Sequence, residues 1–291
     1  MSWDSDALRM PATAYAQTLA AIILTMKRTT ITILTFLFLG QISCNKTGSK
    51  KIESLKNTIY KFGFKTDSTS TGPLDNSAFI MKINDSLPAM FLTAHHTVAG
   101  TRTGQYLKWY EIEQNMTNGW AWSMNDSTVD FKIGRNLPVR NSETMKLDLS
   151  AFYLPSDKTP YLKPAKKDAQ VGETVYLFSK IKDNNNRTTL RNRAVVIYAT
   201  DSVMAYELTD FSMQKSIMTG TSGSCVLNKD NEVASNSYAG FTIPNDEIKK
   251  RIAEGFPLLN KLKTRNGKTY GIGVPIELIE KSIVLAFKEK K

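Results

Sequence analysis

The chain has 291 residues, 41% hydrophobic and 10% aromatic, with 38 Lys and Arg against 27 Asp and Glu for a formal net charge of +11. This composition excludes a disordered chain, which has too little apolar surface to bury, and the length suits one large domain or two small ones. The positive balance favours anionic lipid or cell-wall polymers, but the basic residues are scattered and no RNA- or DNA-binding motif accompanies them, so no nucleic-acid partner is expected.

Residues 1–25 read as an upstream extension ahead of Met26. Lys27 and Arg28 then precede an apolar run from Ile31 to Gly40, and Gln41-Ile42-Ser43-Cys44 follows. A charged region, a short hydrophobic region and a small-residue cut site make 26–44 a signal peptide. The apolar run is only about half a membrane span, which points to export rather than a permanent helix. Cys44, directly after a small residue, resembles the modified position of the lipobox of bacterial lipoproteins, although Gln41 stands where such boxes carry leucine. The resemblance implies acylation of Cys44 and an exported, periplasmic or cell-envelope protein anchored by lipid. Cys225, the second of the two cysteines, is then the one remaining thiol, so the fold must rest on its hydrophobic core without a disulfide. Residues 45–73 are polar with isolated apolar positions and read as a tether.

Beyond the tether the pattern is mostly of short strands. Asn118-Gly119, between "YLKWYEIEQ" and "WAWSM", is a two-residue hairpin signal. Val129, Phe131 and Ile133 alternate with Asp130 and Lys132, a period of two. "ETVYLFS" and "AVVIYA" are further β-branched and aromatic runs. Helical pattern enters late, over Ile248–Glu254 and again over Ile276–Phe287, where Ile276, Ile279, Ile283 and Ala286 share a face after Pro275. The segment "PNDEIKKRIAEGFPLLNKLKTRNGK" reads as a helical insertion between two C-terminal strands.

Chemistry concentrates in three places. The chain has two histidines, the adjacent His95 and His96. Adjacent side chains diverge on a strand or a helix, and no His-Glu-x-x-His or cysteine pair is present, so a metal site is not expected. "MTGTSGSC" sets Ser222 between Gly220 and Gly223, as a backbone cradle for a nucleophile would. With both imidazoles upstream of Ser222, the hydrolase classes whose histidine follows the nucleophile are excluded, as is papain-like use of Cys225. The orders His, Asp, Ser and Asp, His, Ser remain. The second is that of subtilisin-like proteases, but "CVLNKDNEVASNSYAG" reads as strand, turn and strand where that fold needs a helix.

The first order carries a resemblance. "FLTAHHTV" resembles the Thr-Ala-Ala-His segment of trypsin-like (chymotrypsin-fold) serine proteases, with His96 at the catalytic position and His95 in place of alanine. "LDLSAFYLP" resembles their Asp-Ile-Ala-Leu-Leu segment at Asp148, and "GTSGSC" resembles Gly-Asp-Ser-Gly-Gly-Pro at Ser222. "VGETVYLFS" and "YGIGVPIELIEKSI" are similar to a strand and to the terminal strand and helix of the bacterial periplasmic branch. The likeness covers residues 74–291.

It implies an all-β fold of two antiparallel six-stranded β-barrels with a C-terminal helix, and a serine endopeptidase with the triad His96, Asp148 and Ser222. It also implies an oxyanion hole from the amides of Gly220 and Ser222, a specificity pocket based near Ser216 and walled by Ser237, Tyr238, Ala239 and Gly240, and a peptide or protein substrate. No metal or organic cofactor is expected. With no acidic residue at the pocket base, the preference implied is for small or apolar side chains. Thr221 replaces the aspartate that in digestive members pairs with a newly cut N-terminus. Two other readings stand beside the peptidase. One is a catalytically inert, protease-like lipoprotein that binds peptide or protein, and the other is an adhesive cell-wall lipoprotein.

Overall fold

The structure is a computed structural model and describes residues 55–66, 69–70, 76–99, 107–123, 129–142, 147–154, 159–183, 186–209, 220–255 and 257–289. The expected signal peptide and Cys44 lie outside the described residues, as does Ser216.

One antiparallel sheet forms the first half. Its strands are β1 (Ile59–Thr66), β2 (Thr69–Ser70), β3 (Ser77–Met81), β4 (Met90–Thr93), β5 (Met116–Ser123), β6 (Val129–Ile133) and β7 (Ser150–Tyr153), in the order β6-β5-β1-β3-β4-β7 with β2 on β1. The sheet curls until its ends meet. Beyond β6 the Gly134 N–H donates to the Tyr153 carbonyl (2.9 Å), the Tyr153 N–H to Arg135 (2.9 Å) and the Leu137 N–H to Ala151 (2.7 Å). A Cβ at Gly134 would sit 2.5 Å from the Tyr153 oxygen, so glycine is what permits the approach. The expected first barrel is thus a seven-stranded sheet with bridged ends rather than a closed six-stranded ladder.

The second half is a closed six-stranded barrel. β8 (Thr174–Asp183), β9 (Asn186–Ala199), β10 (Met204–Leu208), β11 (Ser224–Leu227), β12 (Val233–Ile243) and β13 (Lys268–Pro275) follow one another in the order β10-β13-β12-β11-β8-β9. Among the described residues four α-helices accompany the strands: α1 (His96–Ala99), α2 (Trp109–Asn115), α3 (Asp246–Gly255) and α4 (Ile276–Glu289).

Three apolar clusters fill the fold. Phe62, Phe91 and Phe152 pack edge to face inside the first sheet, with centroids 5.9 and 6.5 Å apart. Val175, Leu177, Val196, Leu208 and Val226 surround Tyr206 inside the barrel. The third cluster joins the halves, because β3 and β4 are buried on both faces. Ala78, Ile80 and Phe91 serve the first core, while Phe79, Met81 and Leu92 belong with Phe178, Cys225 and Leu227 of the barrel. The connecting segment is paired to both sides: Leu162 exchanges backbone bonds with Ile80 and Lys82 of the first half, and Lys163 and Ala165 with Val233 of the second.

The C-terminal helix follows the expected pattern. Ile276, Ile279, Ile283 and Ala286 are buried in the joining cluster, and Leu285 on the opposite side is exposed. The insertion after β12 carries α3 and a short 3-10 turn, anchored by the fully buried Leu259.

Two expectations are corrected. Residues 59–66 are no tether: they form β1, with Ile59, Tyr60 and Phe62 buried, and what read as isolated apolar positions is the alternation of a strand. Asn118-Gly119 makes no hairpin turn. A helix precedes it, and the dipeptide lies within β5, opposite Lys65 and Phe64 of β1. Pairing with a partner strand on each side outweighs the local preference for a turn.

Ile283→Ala is expected to lower unfolding free energy by about 2–5 kcal/mol, measured by urea denaturation, through lost burial and the cavity left behind. Leu285→Ala, on the exposed side of the same helix, should stay within about 0.5 kcal/mol.

Candidate active site

His96 stands where β4 passes into the single turn α1. The turn is closed by bonds from Val98 and Ala99 N–H to the His95 carbonyl (3.0 and 2.9 Å) and from Thr97 Oγ1 to the Ala94 carbonyl (2.6 Å). Its neighbour is the anchor. His95 is buried, with Nε2 2.6 Å from the Leu107 carbonyl and Nδ1 2.9 Å from Ser150 Oγ. A carbonyl only accepts, so Nε2 carries the proton of His95 and Nδ1 accepts from the serine. With the His95 ring fixed inward, the His96 side chain keeps 28% of its surface accessible.

Asp148 sits at the apex of a tight turn in which the Leu149 N–H donates to the Leu147 carbonyl at 2.8 Å. Both flanking leucines are buried. The carboxylate grips His96 twice: Oδ1 accepts the backbone N–H at 2.9 Å, and Oδ2 faces Nδ1 at 2.7 Å. Because a carboxylate accepts, Nδ1 is the donor, so in the neutral ring Nε2 is the acceptor nitrogen. That is the tautomer a general base needs.

The loop around Ser222 is built on two glycines in the left-handed region, Gly220 at φ 87° and Gly223 at φ 83°. Its carbonyls turn toward the first sheet: Ser77 Oγ donates to Gly220 at 2.8 Å, and Ser77 N–H donates to Ser222 at 2.9 Å. The Thr221 carbonyl accepts the Ser224 N–H at 2.9 Å. Among the described residues the Gly220 and Ser222 N–H groups donate to no protein acceptor. Two such donors, held by the carbonyls beside them, are of the kind that can receive a developing oxyanion.

Gly223 places this loop against the strand that carries His96. A Cβ there would collide with the Ser77 carbonyl and Thr93 Oγ1 and come within 3.1 Å of the Ala94 nitrogen. The Ser222 hydroxyl donates to the Tyr238 carbonyl at 3.3 Å. Asn236 completes the seam. It is fully buried, and its Nδ2 lies 3.4 Å from both the Thr93 and the Asp148 carbonyls. Sequence reading missed Ser77, Thr93 and Asn236, since a polar residue in a strand carries no local sign that it meets another half of the fold.

The expected pocket wall divides. Ser237 is buried, and its Oγ pairs with Tyr206 Oη at 2.7 Å, so its side chain serves the barrel interior and not the cleft. Tyr238 is buried as well, and its phenol is pushed up by that burial, with the nearby Asp148 carboxylate adding to it. Ala239 and Gly240 are half-buried. Cys225 is fully buried and burial pushes its thiol up, so it is no nucleophile at neutral pH.

No protein-family model matches the chain, and no curated protein is similar to it in sequence. Similar solved structures are proteases. The Rv3671c protease from M. tuberculosis in its active form is 14% identical, with a TM-score of 0.47, over 80% of this chain and 82% of that one. The serine endoprotease from Yersinia pestis is 12% identical, with a TM-score of 0.48, over 82% of this chain and 66% of that one. A Glu endopeptidase is 15% identical, with a TM-score of 0.49, over 79% and 90% respectively.

Two measurements probe this geometry. Gly223→Ala combines a left-handed φ with collisions against backbone and a buried threonine. It is expected to cost more than about 2 kcal/mol of stability in thermal or urea unfolding. Iodoacetamide at pH 8 should leave Cys225 unmodified in native protein and alkylate it after denaturation, as read by mass spectrometry of the peptide that carries it.

Proposed function

We propose that the chain is a serine endopeptidase in which Ser222 is the nucleophile, His96 the general base and acid, and Asp148 the group that orients and stabilises the imidazole. The observation that carries this reading is the double grip of Asp148 on His96, with Nδ1 at 2.7 Å and the backbone N–H at 2.9 Å. It supports a His96 held in one tautomer with Nε2 available for a proton.

For attack, the Ser222 proton is directed to His96 Nε2 instead of to the Tyr238 carbonyl. The Oγ to carbonyl-carbon bond forms, and the oxyanion is received by the Gly220 and Ser222 amides, each such donor being worth about 3 kcal/mol. His96 then passes the proton to the leaving nitrogen as the carbon–nitrogen bond breaks. A water molecule, activated by the same imidazole, releases the acyl group and regenerates Ser222.

The reading extends to an exported protein, anchored at the cell envelope through an acylated Cys44, that cleaves peptide or protein substrates. Ala239 and Gly240 contribute to the substrate wall, and small or apolar side chains are favoured there.

A fluorophosphonate probe should label folded protein at Ser222, and Ser222→Ala should abolish labelling. Asp148→Asn should slow peptide turnover by about 10⁴ by disturbing the tautomer and the imidazolium. Absence of labelling in folded wild-type protein would favour an inert peptide-binding lipoprotein.

A further inference from the structure

Lys61 is a lysine in an unusual place. It stands opposite Ser77 in the ladder between β1 and β3, and it is 3% exposed where lysines seldom lie deep. Its Nζ lies 3.5 Å from the Gly220 carbonyl, the same oxygen that Ser77 Oγ reaches at 2.8 Å. Two donors from neighbouring strands of the first half thus converge on one carbonyl of the nucleophile loop.

That carbonyl belongs to a pliable joint of the loop. Gly220 lies at φ 87°, and glycine passes between positive and negative φ at little cost. Nothing in Gly220 itself keeps its peptide from turning over. The Lys61 Nζ beside its oxygen, together with the Ser77 hydroxyl, opposes that turn, because turning the peptide would take one acceptor away from two buried donors.

We propose that Lys61, together with Ser77, is a positioning residue that locks the loop from Gly220 to Ser222 with its carbonyls toward the first sheet and its amides toward substrate. This rests on the serine-peptidase reading of the same site. A cation supplied from within β1 then orders the loop in the chain as folded, with no cleavage step needed to create one. Thr221, which offers no carboxylate to a new N-terminus, fits that arrangement.

The test compares wild type, Lys61→Met and Ser77→Ala in two measurements. One is the inactivation kinetics of a fluorophosphonate. The other is amide hydrogen exchange at Ser77 and Ser224, whose N–H groups bond the Ser222 and Thr221 carbonyls. Lys61→Met keeps the length of the side chain and removes the charge. It is expected to lower the limiting inactivation rate by about 10²-fold, the scale of a small misplacement in an active site, with the probe's half-saturation concentration unchanged. Exchange at both amides should speed up while the melting temperature does not fall. Ser77→Ala should shift the same quantities in the same direction.

A Lys61→Met protein with wild-type inactivation rate and wild-type exchange would overturn the proposal and leave the peptidase reading intact. So would a variant that melts earlier but reacts at the wild-type rate. If wild-type protein is not labelled at all, the peptidase reading fails and exchange alone decides: faster exchange in Lys61→Met upholds the lock, and equal exchange overturns it. Should Lys61→Met fail to fold, a slower limiting rate in Ser77→Ala upholds the proposal and an unchanged one overturns it.

Discussion

Two short strands, β3 and β4, are buried on both faces, and the arrangement of the whole domain turns on that constraint. One face closes the aromatic core of the first sheet, and the other receives the barrel and the C-terminal helix. Every side chain along these strands therefore has a fixed address. A one-residue slip would exchange Phe79 and Met81 for Ala78 and Ile80 at the joint, replacing one set of volumes with another in a packed interior. The polar residues at the ends of the same strands inherit this precision. Ser77 opens β3 and Thr93 closes β4, and both meet the loop around Ser222.

The candidate site is accordingly a seam between halves, made of buried polar contacts. Ser77, Thr93 and Asn236 each pair with a backbone group of a different segment, and each would be costly to leave unpaired. Such contacts add modest net stability but tolerate few alternative alignments. The apolar joint brings the two halves together, and the seam decides how His96, Asp148 and the loop around Ser222 are turned. Orientation matters more than adhesion for proton transfer, which works only over hydrogen-bond distances.

Much of this was legible in the residues alone, for reasons that differ by segment. The face of α4 could be read because Ile276, Ile279, Ile283 and Ala286 follow a helical period, and periodicity survives folding. β6 showed itself by strict alternation. Asp148 and His96, far apart in the chain, could be paired by their motifs and their order, and the carboxylate does hold the imidazole. β1 escaped because Lys61 breaks the expected polarity: a strand position occupied by lysine reads as solvent-facing, yet here it is buried. Asn118-Gly119 misled for the opposite reason, a strong local turn preference overruled by neighbouring strands. Ser237 read as part of a cleft and instead turns inward to Tyr206, a choice set by the bulge between Ser237 and Ala239 in β12.

The terminal helix has a consequence for how the molecule is made. α4 follows the last barrel strand, yet its apolar face packs against residues contributed by the first half, and Phe287 meets the ring of Tyr153 edge-on at 5.8 Å. A growing chain that has already emitted its early strands cannot finish their packing until this distant piece arrives. The joint between the two halves is thus the last part of the core to be completed as the chain is made.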